Sequence, residues 1–148
     1  MQKCTLGLGC FWGPEETFKS KPGIIETEVG YAGGSSAKVT YEEVCTGSTG
    51  HAEVVRLTFD ENIISFKKII DLFFKMHDPT QKDMQYPDVG TQYRSEIFYE
   101  DDVQKAEAKE ILEIFNKKLN GKIQTNISQL KNYCKAEEYH QKYIEKNR

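Results

Sequence analysis

Lys3-Cys4-Thr5-Leu6-Gly7-Leu8-Gly9-Cys10-Phe11-Trp12-Gly13-Pro14 reads as a strand that turns into a helix. Cys4, Leu6 and Leu8 alternate on one face, the two-residue period of a half-buried strand. Gly9 and Gly13 bracket the turn. Pro14 suits the first helical turn, where a missing N–H costs nothing. The helix predicted from there runs to about Ser20, and Pro22-Gly23 follows its end.

Working outward, Ile24 to Tyr31 forms a second strand closed by Gly33-Gly34, and the Gly-, Ser- and Thr-rich stretch Ser35 to Gly50 is a long loop. Ala52 to Asp60 alternates again, with Val55, Leu57 and Phe59 on one face. Ser65 caps a helix to about His77, whose Phe66, Ile69, Ile70 and Phe73 make a stripe at helical spacing. Asp78 to Gln92, with Pro79, Pro87 and Gly90, is a second irregular region. Arg94 to Tyr99 is a strand, and Asp101-Asp102 open a helix that Lys117, Lys118 and Gly121 close. Ile123 to Ile127 is the last strand and Ala136 to Lys146 a terminal helix. This order, β-α-β-β-α, then β-α-β, then a helix, predicts one catalytic domain over residues 1–148. Its class is α/β in the α+β sense, a mixed, mostly antiparallel sheet with helices packed on it. The two irregular regions are the places for a site.

A net charge of −3 leaves no basic field to hold nucleic acid. No apolar run approaches the roughly 20 residues that span a bilayer, and the first residues run straight into a strand without a signal-peptide pattern. Four scattered cysteines, Cys4, Cys10, Cys45 and Cys134, with no Cys-x-x-Cys pair, fit neither a disulfide scaffold nor a zinc site. The expectation is a cytoplasmic monomer with no bound metal or cofactor.

Cys10 stands where the first strand hands over to the first helix. Unpaired helix N–H groups lie nearby and predict a thiolate. Phe11 and Trp12, the chain's only tryptophan, set aromatic faces beside that sulfur, which suits a methyl thioether or its oxide. Gly7-x-Gly9-x-x-x-Gly13 resembles a dinucleotide fingerprint, but its last spacing is one residue too long.

Glu53 shares the parity of Val55, Leu57 and Phe59, so its carboxyl points to the core side. It is either a protonated acid or an ion-paired residue at the start of a strand. Tyr31, Tyr41, Tyr93 and Tyr99 fall at strand ends or in loops, where a phenol keeps a reachable hydroxyl. Asp88, in a Pro/Gly loop, is a turn former or a site residue. His51 could pair with Cys10 for acyl transfer or peroxide chemistry, or serve structure alone. A module binding methionine peptides through Phe11 and Trp12 is the non-enzymatic alternative.

Taken together, Gly9-Cys10-Phe11-Trp12-Gly13, Gly30-Tyr31-Ala32-Gly33-Gly34, Thr40-Tyr41-Glu42-Glu43-Val44-Cys45 and Gly50-His51-Ala52-Glu53 resemble the peptide methionine sulfoxide reductase A family. His77-Asp78-Pro79, Gly90-Thr91-Gln92-Tyr93-Arg94-Ser95 and Ala136-Glu137-Glu138-Tyr139-His140-Gln141 extend the match in order over nearly the whole chain. The resemblance implies a ferredoxin-like two-layer sandwich and reduction of the S epimer of methionine sulfoxide, free or in oxidised proteins. It implies that Cys10 attacks the sulfoxide sulfur and that Glu53 protonates the oxygen. Phe11 and Trp12 would hold the methyl group, Tyr41 and Tyr93 the oxygen, and Asp88 would support the site. Many relatives keep a resolving cysteine in a tail beyond the last helix, and this sequence has none after Cys134. Cys134 is then the best internal candidate and Cys45 a weaker one. Cys4 lies some 20 Å of extended chain from Cys10, out of disulfide reach. Otherwise thioredoxin, glutaredoxin or a small thiol restores Cys10 directly.

Overall fold

The computed structural model describes residues 1–148. Strand β1 (Gln2–Leu8) lies between β3 (Ala52–Phe59) and β6 (Ser95–Tyr99), antiparallel to both. β2 (Ile24–Ala32) pairs antiparallel with β3 on its other side. β7 (Asn126–Gln129) and the two-residue β8 (Cys134–Lys135) form the edges, giving the order β7-β6-β1-β3-β2-β8. Only the β6–β7 pair is parallel. A two-stranded hairpin, β4 (Met84–Gln85) with β5 (Asp88–Val89), stands apart from this sheet. The expected mostly antiparallel sheet is present. Its four central strands, β6-β1-β3-β2, are laced by helices α1 (Trp12–Lys19) and α3 (Phe66–Met76) in the ferredoxin-like β-α-β-β-α-β order.

The alternation at Cys4, Leu6 and Leu8 meets that at Val55, Leu57 and Phe59 across the β1–β3 register, where Leu6 faces Val55 and Cys4 faces Leu57. Onto that face α3 delivers Phe66, Ile69, Ile70, Phe73 and Phe74, all buried. Burial of each such side chain stabilises by about 1.5–3 kcal/mol. Ser65 accepts the Lys68 N–H as N-cap of α3, and Asp101 accepts the Gln104 N–H as N-cap of α4 (Asp102–Lys118).

Besides the β4–β5 hairpin and the turn Thr91–Tyr93, which fall in or at the end of the stretch expected to be irregular, four elements differ from the sequence expectation. The loop from Ser35 to Gly50 contains a helix, α2 (Tyr41–Cys45), started by a reciprocal cap between Thr40 and Glu43. The last long strand lies at Asn126–Gln129 rather than 123–127, because its register is set by pairing Glu96 to Asn126 and Tyr99 to Gln129. β8 had no periodic signal at two residues. The expected helix from Ala136 to Lys146 is broken into a 3-10 turn, Glu138–His140, and a short α5 (Tyr143–Lys146). Gln141 breaks it: its side chain accepts the Val29 N–H and donates to the Val29 carbonyl, extending the sheet edge with an amide. Lys142 then takes a left-handed conformation, φ 51°.

Candidate active site

β1 ends at Leu8, and Gly9 turns the chain with φ 95° into Cys10, which is half-buried. At Gly9 an added side chain would meet Gln85 of the β4–β5 hairpin at 3.0 Å, so the hairpin closes directly over this turn. The sulfur sits at the mouth of α1, where the Trp12 N–H donates to it. That bond does not produce the thiolate expected from the helix terminus. Burial outweighs it, and with the nearby carboxylates of Glu53 and Asp88 the Cys10 thiol is pushed up to about 11. Desolvation is a property of the packed site, invisible in the local sequence.

Glu53 opens β3 opposite Tyr31 and is 1 % exposed. Its Oε1 accepts the Phe11 N–H at 3.3 Å, which anchors the carboxyl one residue from the sulfur. Burial pushes its pKa up to about 8, with the Phe11 N–H opposing and Asp88 adding to the rise. No basic side chain bonds this carboxyl, so of the two readings open in the sequence the ion pair is absent and a neutral acid remains. Tyr93, in the 3-10 turn Thr91–Tyr93, is half-buried and lies within the field of Glu53, Cys45, Asp88 and Cys10. Burial, the largest influence, moves its pKa up to about 12. Tyr41 begins α2, with its hydroxyl facing the Cys45 thiol and its ring 4.6 Å from that of His140. Asp88 lies on β5 beside this cluster.

Phe11 is buried against Tyr31, ring centroids 5.8 Å apart, and against His140 at 5.2 Å. Trp12 stacks on Tyr143 at 3.8 Å with 7° between the planes, and its Nε1–H donates to His140 Nδ1 at 3.0 Å. Cys10, Glu53, Tyr41, Tyr93, Asp88, Phe11 and Trp12 therefore share one locality, drawn from the ends of β1 and β3, from α2 and from the second irregular region. Cys134 does not join them. It is the β8 neighbour of Tyr31, and β2 and β3 separate β8 from β1. Three strand spacings amount to roughly 14 Å, whereas a disulfide needs Cα atoms within about 7 Å. All four cysteines are free.

His51 is turned away from the chemistry. Its Nε2–H donates to the Ser36 carbonyl, and an added side chain at Gly34 would collide with its Nδ1. His77 is likewise spent on structure: Nδ1–H donates to the Phe73 carbonyl, and Nε2 accepts from the Ser95 hydroxyl. Burial drops its pKa to about 4, which keeps it neutral. No group of three or more His, Cys, Asp or Glu side chains is arranged to hold a metal ion. No helix is long and apolar enough to cross a membrane.

The sequence reading missed the residues that brace the site. Glu137 accepts the Tyr31 hydroxyl and the Tyr41 N–H, tying α2 to β2. Arg94 pairs with Glu96 at 2.6 Å and donates to the carbonyls of Gly50 and Thr91, joining the start of β3 to the turn that carries Tyr93. Gln85 bonds both backbone groups of Asp78 and so locks the hairpin. Signals for two of them were present, since Arg94 and Glu137 belong to the matching segments, but no local pattern told what they would touch.

A family model described as "Peptide methionine sulfoxide reductase" matches residues 2–148. A peptide methionine sulfoxide reductase MsrA of Pelagibacter ubique is 59 % identical over 146 residues, covering 99 % of both chains. One from Methanosarcina mazei is 49 % identical over 99 % of this chain and 70 % of its own. Among solved structures, reduced Mxr1 of Saccharomyces cerevisiae overlaps with a TM-score of 0.94 at 40 % identity, covering 99 % of this chain and 85 % of that one. The same yeast protein in an unusual oxidised form overlaps less, at 0.77. Its complex with Trx2 overlaps at 0.69 with 28 % identity, covering 96 % of this chain and 84 % of that one.

Proposed function

Because the chain belongs to the peptide methionine sulfoxide reductase family, and is an oxidoreductase acting on sulfur, we propose that Cys10 takes the oxygen of methionine S-sulfoxide with Glu53 as the acid. The observation that carries this is the neutral Glu53 carboxyl, buried, with a pKa of about 8, and fastened to the Phe11 N–H beside the thiol. A sulfoxide oxygen leaves poorly until it is protonated, so the acid must hold its proton at neutral pH. Near pH 7 both Cys10 and Glu53 carry a proton. The Glu53 proton goes to the sulfoxide oxygen as the Cys10 sulfur bonds to the substrate sulfur, and the thiol proton passes to the Glu53 carboxylate so formed. The bonds from the substrate sulfur to Cys10 and to the hydroxyl oxygen then both break as that oxygen bonds to the Cys10 sulfur, and the substrate sulfur keeps the freed electron pair. Methionine is the reduced product, and Cys10, oxidised by two electrons, becomes a sulfenic acid.

Phe11 and Trp12 receive the methyl group, a role for which their fixed aromatic faces are suited. The hydroxyls of Tyr41 and Tyr93 orient the oxygen. Asp88 acts on Cys10 and Glu53 through its charge, holding their protons in place. One thiol condenses with the sulfenic acid, releasing water and forming a mixed disulfide, and a second thiol restores Cys10. A thioredoxin supplies both thiols in our reading, supported by the yeast relative solved with Trx2 and by the strands that separate Cys134 from Cys10. Free cysteines throughout fit a reducing compartment, the cytoplasm.

Turnover of the two epimers of a blocked methionine sulfoxide, with dithiothreitol as reductant, tests the assignment. Reduction of the S epimer alone, abolished in Cys10→Ser, is expected. Equal turnover of both epimers, or full activity in Cys10→Ser, refutes it.

A further inference from the structure

His140 lies at the point where the aromatic residues of the site converge. Its ring is 1 % exposed and contacts Phe11 at 5.2 Å, Trp12 at 5.7 Å, Tyr41 at 4.6 Å and Tyr139 at 4.1 Å between centroids. Packing alone would be served as well by phenylalanine. The imidazole instead uses Nδ1 to accept the Trp12 indole N–H at 3.0 Å. With Nδ1 accepting, the hydrogen of the neutral ring resides on Nε2, and Nε2 is buried with no protein acceptor. An unpaired buried donor is a cost that an apolar side chain of the same shape avoids. The fold tolerates that cost at the one position where an acceptor reaches Trp12.

We propose that His140 is the positioning residue of the methyl pocket, locking the Trp12 indole through Nδ1 and thereby setting the enzyme's preference for a methyl over a larger alkyl sulfoxide. The inference rests on the assignment of Phe11 and Trp12 to the substrate methyl group. Two restraints hold the indole. Tyr143 covers one face, and the His140 bond fixes rotation within the plane of the stack. Stacking alone leaves that rotation soft, because sliding a ring in its own plane changes contact area little. A swinging indole would widen the pocket at its Phe11 side. Burial lowers the His140 pKa, against an opposing pull from Glu137 and Glu42, and so maintains the neutral acceptor form.

His140 touches no reacting atom, and its loss should appear in binding and selectivity rather than in the chemical step. In His140→Phe, KM for N-acetyl-methionine S-sulfoxide should rise about tenfold, the factor that goes with about 1.4 kcal/mol, with kcat within about twofold. The preference for methyl over ethyl sulfoxide should fall by a similar factor. His140→Asn keeps a carbonyl oxygen near the Nδ1 position and should restore KM to within about threefold of wild type. Trp12 is the only tryptophan, so its emission reports the bond directly and should shift in His140→Phe but not in His140→Asn. Unchanged KM and alkyl preference in a folded His140→Phe would overturn the proposal. If that variant does not fold, Trp12→Phe, which lacks the N–H, must show the same KM rise, and an unchanged KM is equally fatal. Should wild type turn over no sulfoxide at all, the reductase assignment falls. The Trp12 emission then decides the positioning claim by itself, and no shift in His140→Phe ends it.

Discussion

Replacing Glu53 by glutamine should make the protein more stable at neutral pH while removing most of its activity. The carboxyl has a pKa of about 8 in the folded protein against an ordinary 4.5. Folded molecules therefore bind a proton that unfolded ones have released, throughout the window from 4.5 to about 8. Stability from this group is complete below 4.5 and is lost as pH rises toward 8. At 1.36 kcal/mol per pH unit, the loss reaches about 3 kcal/mol at pH 7 and levels off near 5 kcal/mol above pH 8. Glutamine has no proton to hold and can still accept the Phe11 N–H. Urea unfolding of both proteins at half-unit steps from pH 4.5 to 9 should show equal stability at the acid end and an advantage for Glu53→Gln that grows with pH. Turnover of methionine sulfoxide should fall by about 10²–10⁴ without the acid. A stability difference that does not vary with pH, or a glutamine variant less stable than wild type at pH 7, would falsify the claim of a neutral buried carboxyl.

Other consequences are as direct. Alkylation of Cys10 by iodoacetamide in the other-cysteine-free protein should still be accelerating between pH 8 and 10, because the thiol ionises near 11; a plateau below pH 8 would restore the thiolate reading. Arg94→Ala strands Glu96, whose side chain is 7 % exposed, and should cost about 3–5 kcal/mol in urea unfolding; a loss below about 1 kcal/mol would show that Glu96 finds another partner. Gly34→Ala puts a methyl 2.0 Å from His51 Nδ1 and 2.4 Å from the Thr49 carbonyl, so the loop before Glu53 must shift. Its melting temperature should drop by several degrees, and an unchanged value would mean the two loops part freely.

Much of the fold was legible because strands and helices leave periodic marks. The alternation at Val55, Leu57 and Phe59 placed β3 and the Glu53 side chain on the core side, where both are found. Ser65 and Asp101 announced their helices through caps that need only the next three residues. Thr40 and Glu43 carried the same kind of signal and went unread inside a loop rich in glycine and serine. The run from Ala136 to Lys146 misled because helical propensity is weak beside a buried amide such as Gln141 bonding a strand edge 112 residues away.

By itself, then, the sequence singled out the candidate groups, a thiol at a strand–helix junction and a carboxyl of core parity, along with most of the strands that carry them. These depend on side-chain chemistry and on periods of two or 3.6 residues, which any chain displays locally. Tertiary structure alone decided the protonation of that pair and what braces it. The Cys10 thiol near 11 and the Glu53 carboxyl near 8 come from water excluded by packing. The Trp12–His140 bond joins residues 128 apart in the chain. Desolvation and long-range contact are sums over neighbours from distant segments, and no local window of sequence contains them.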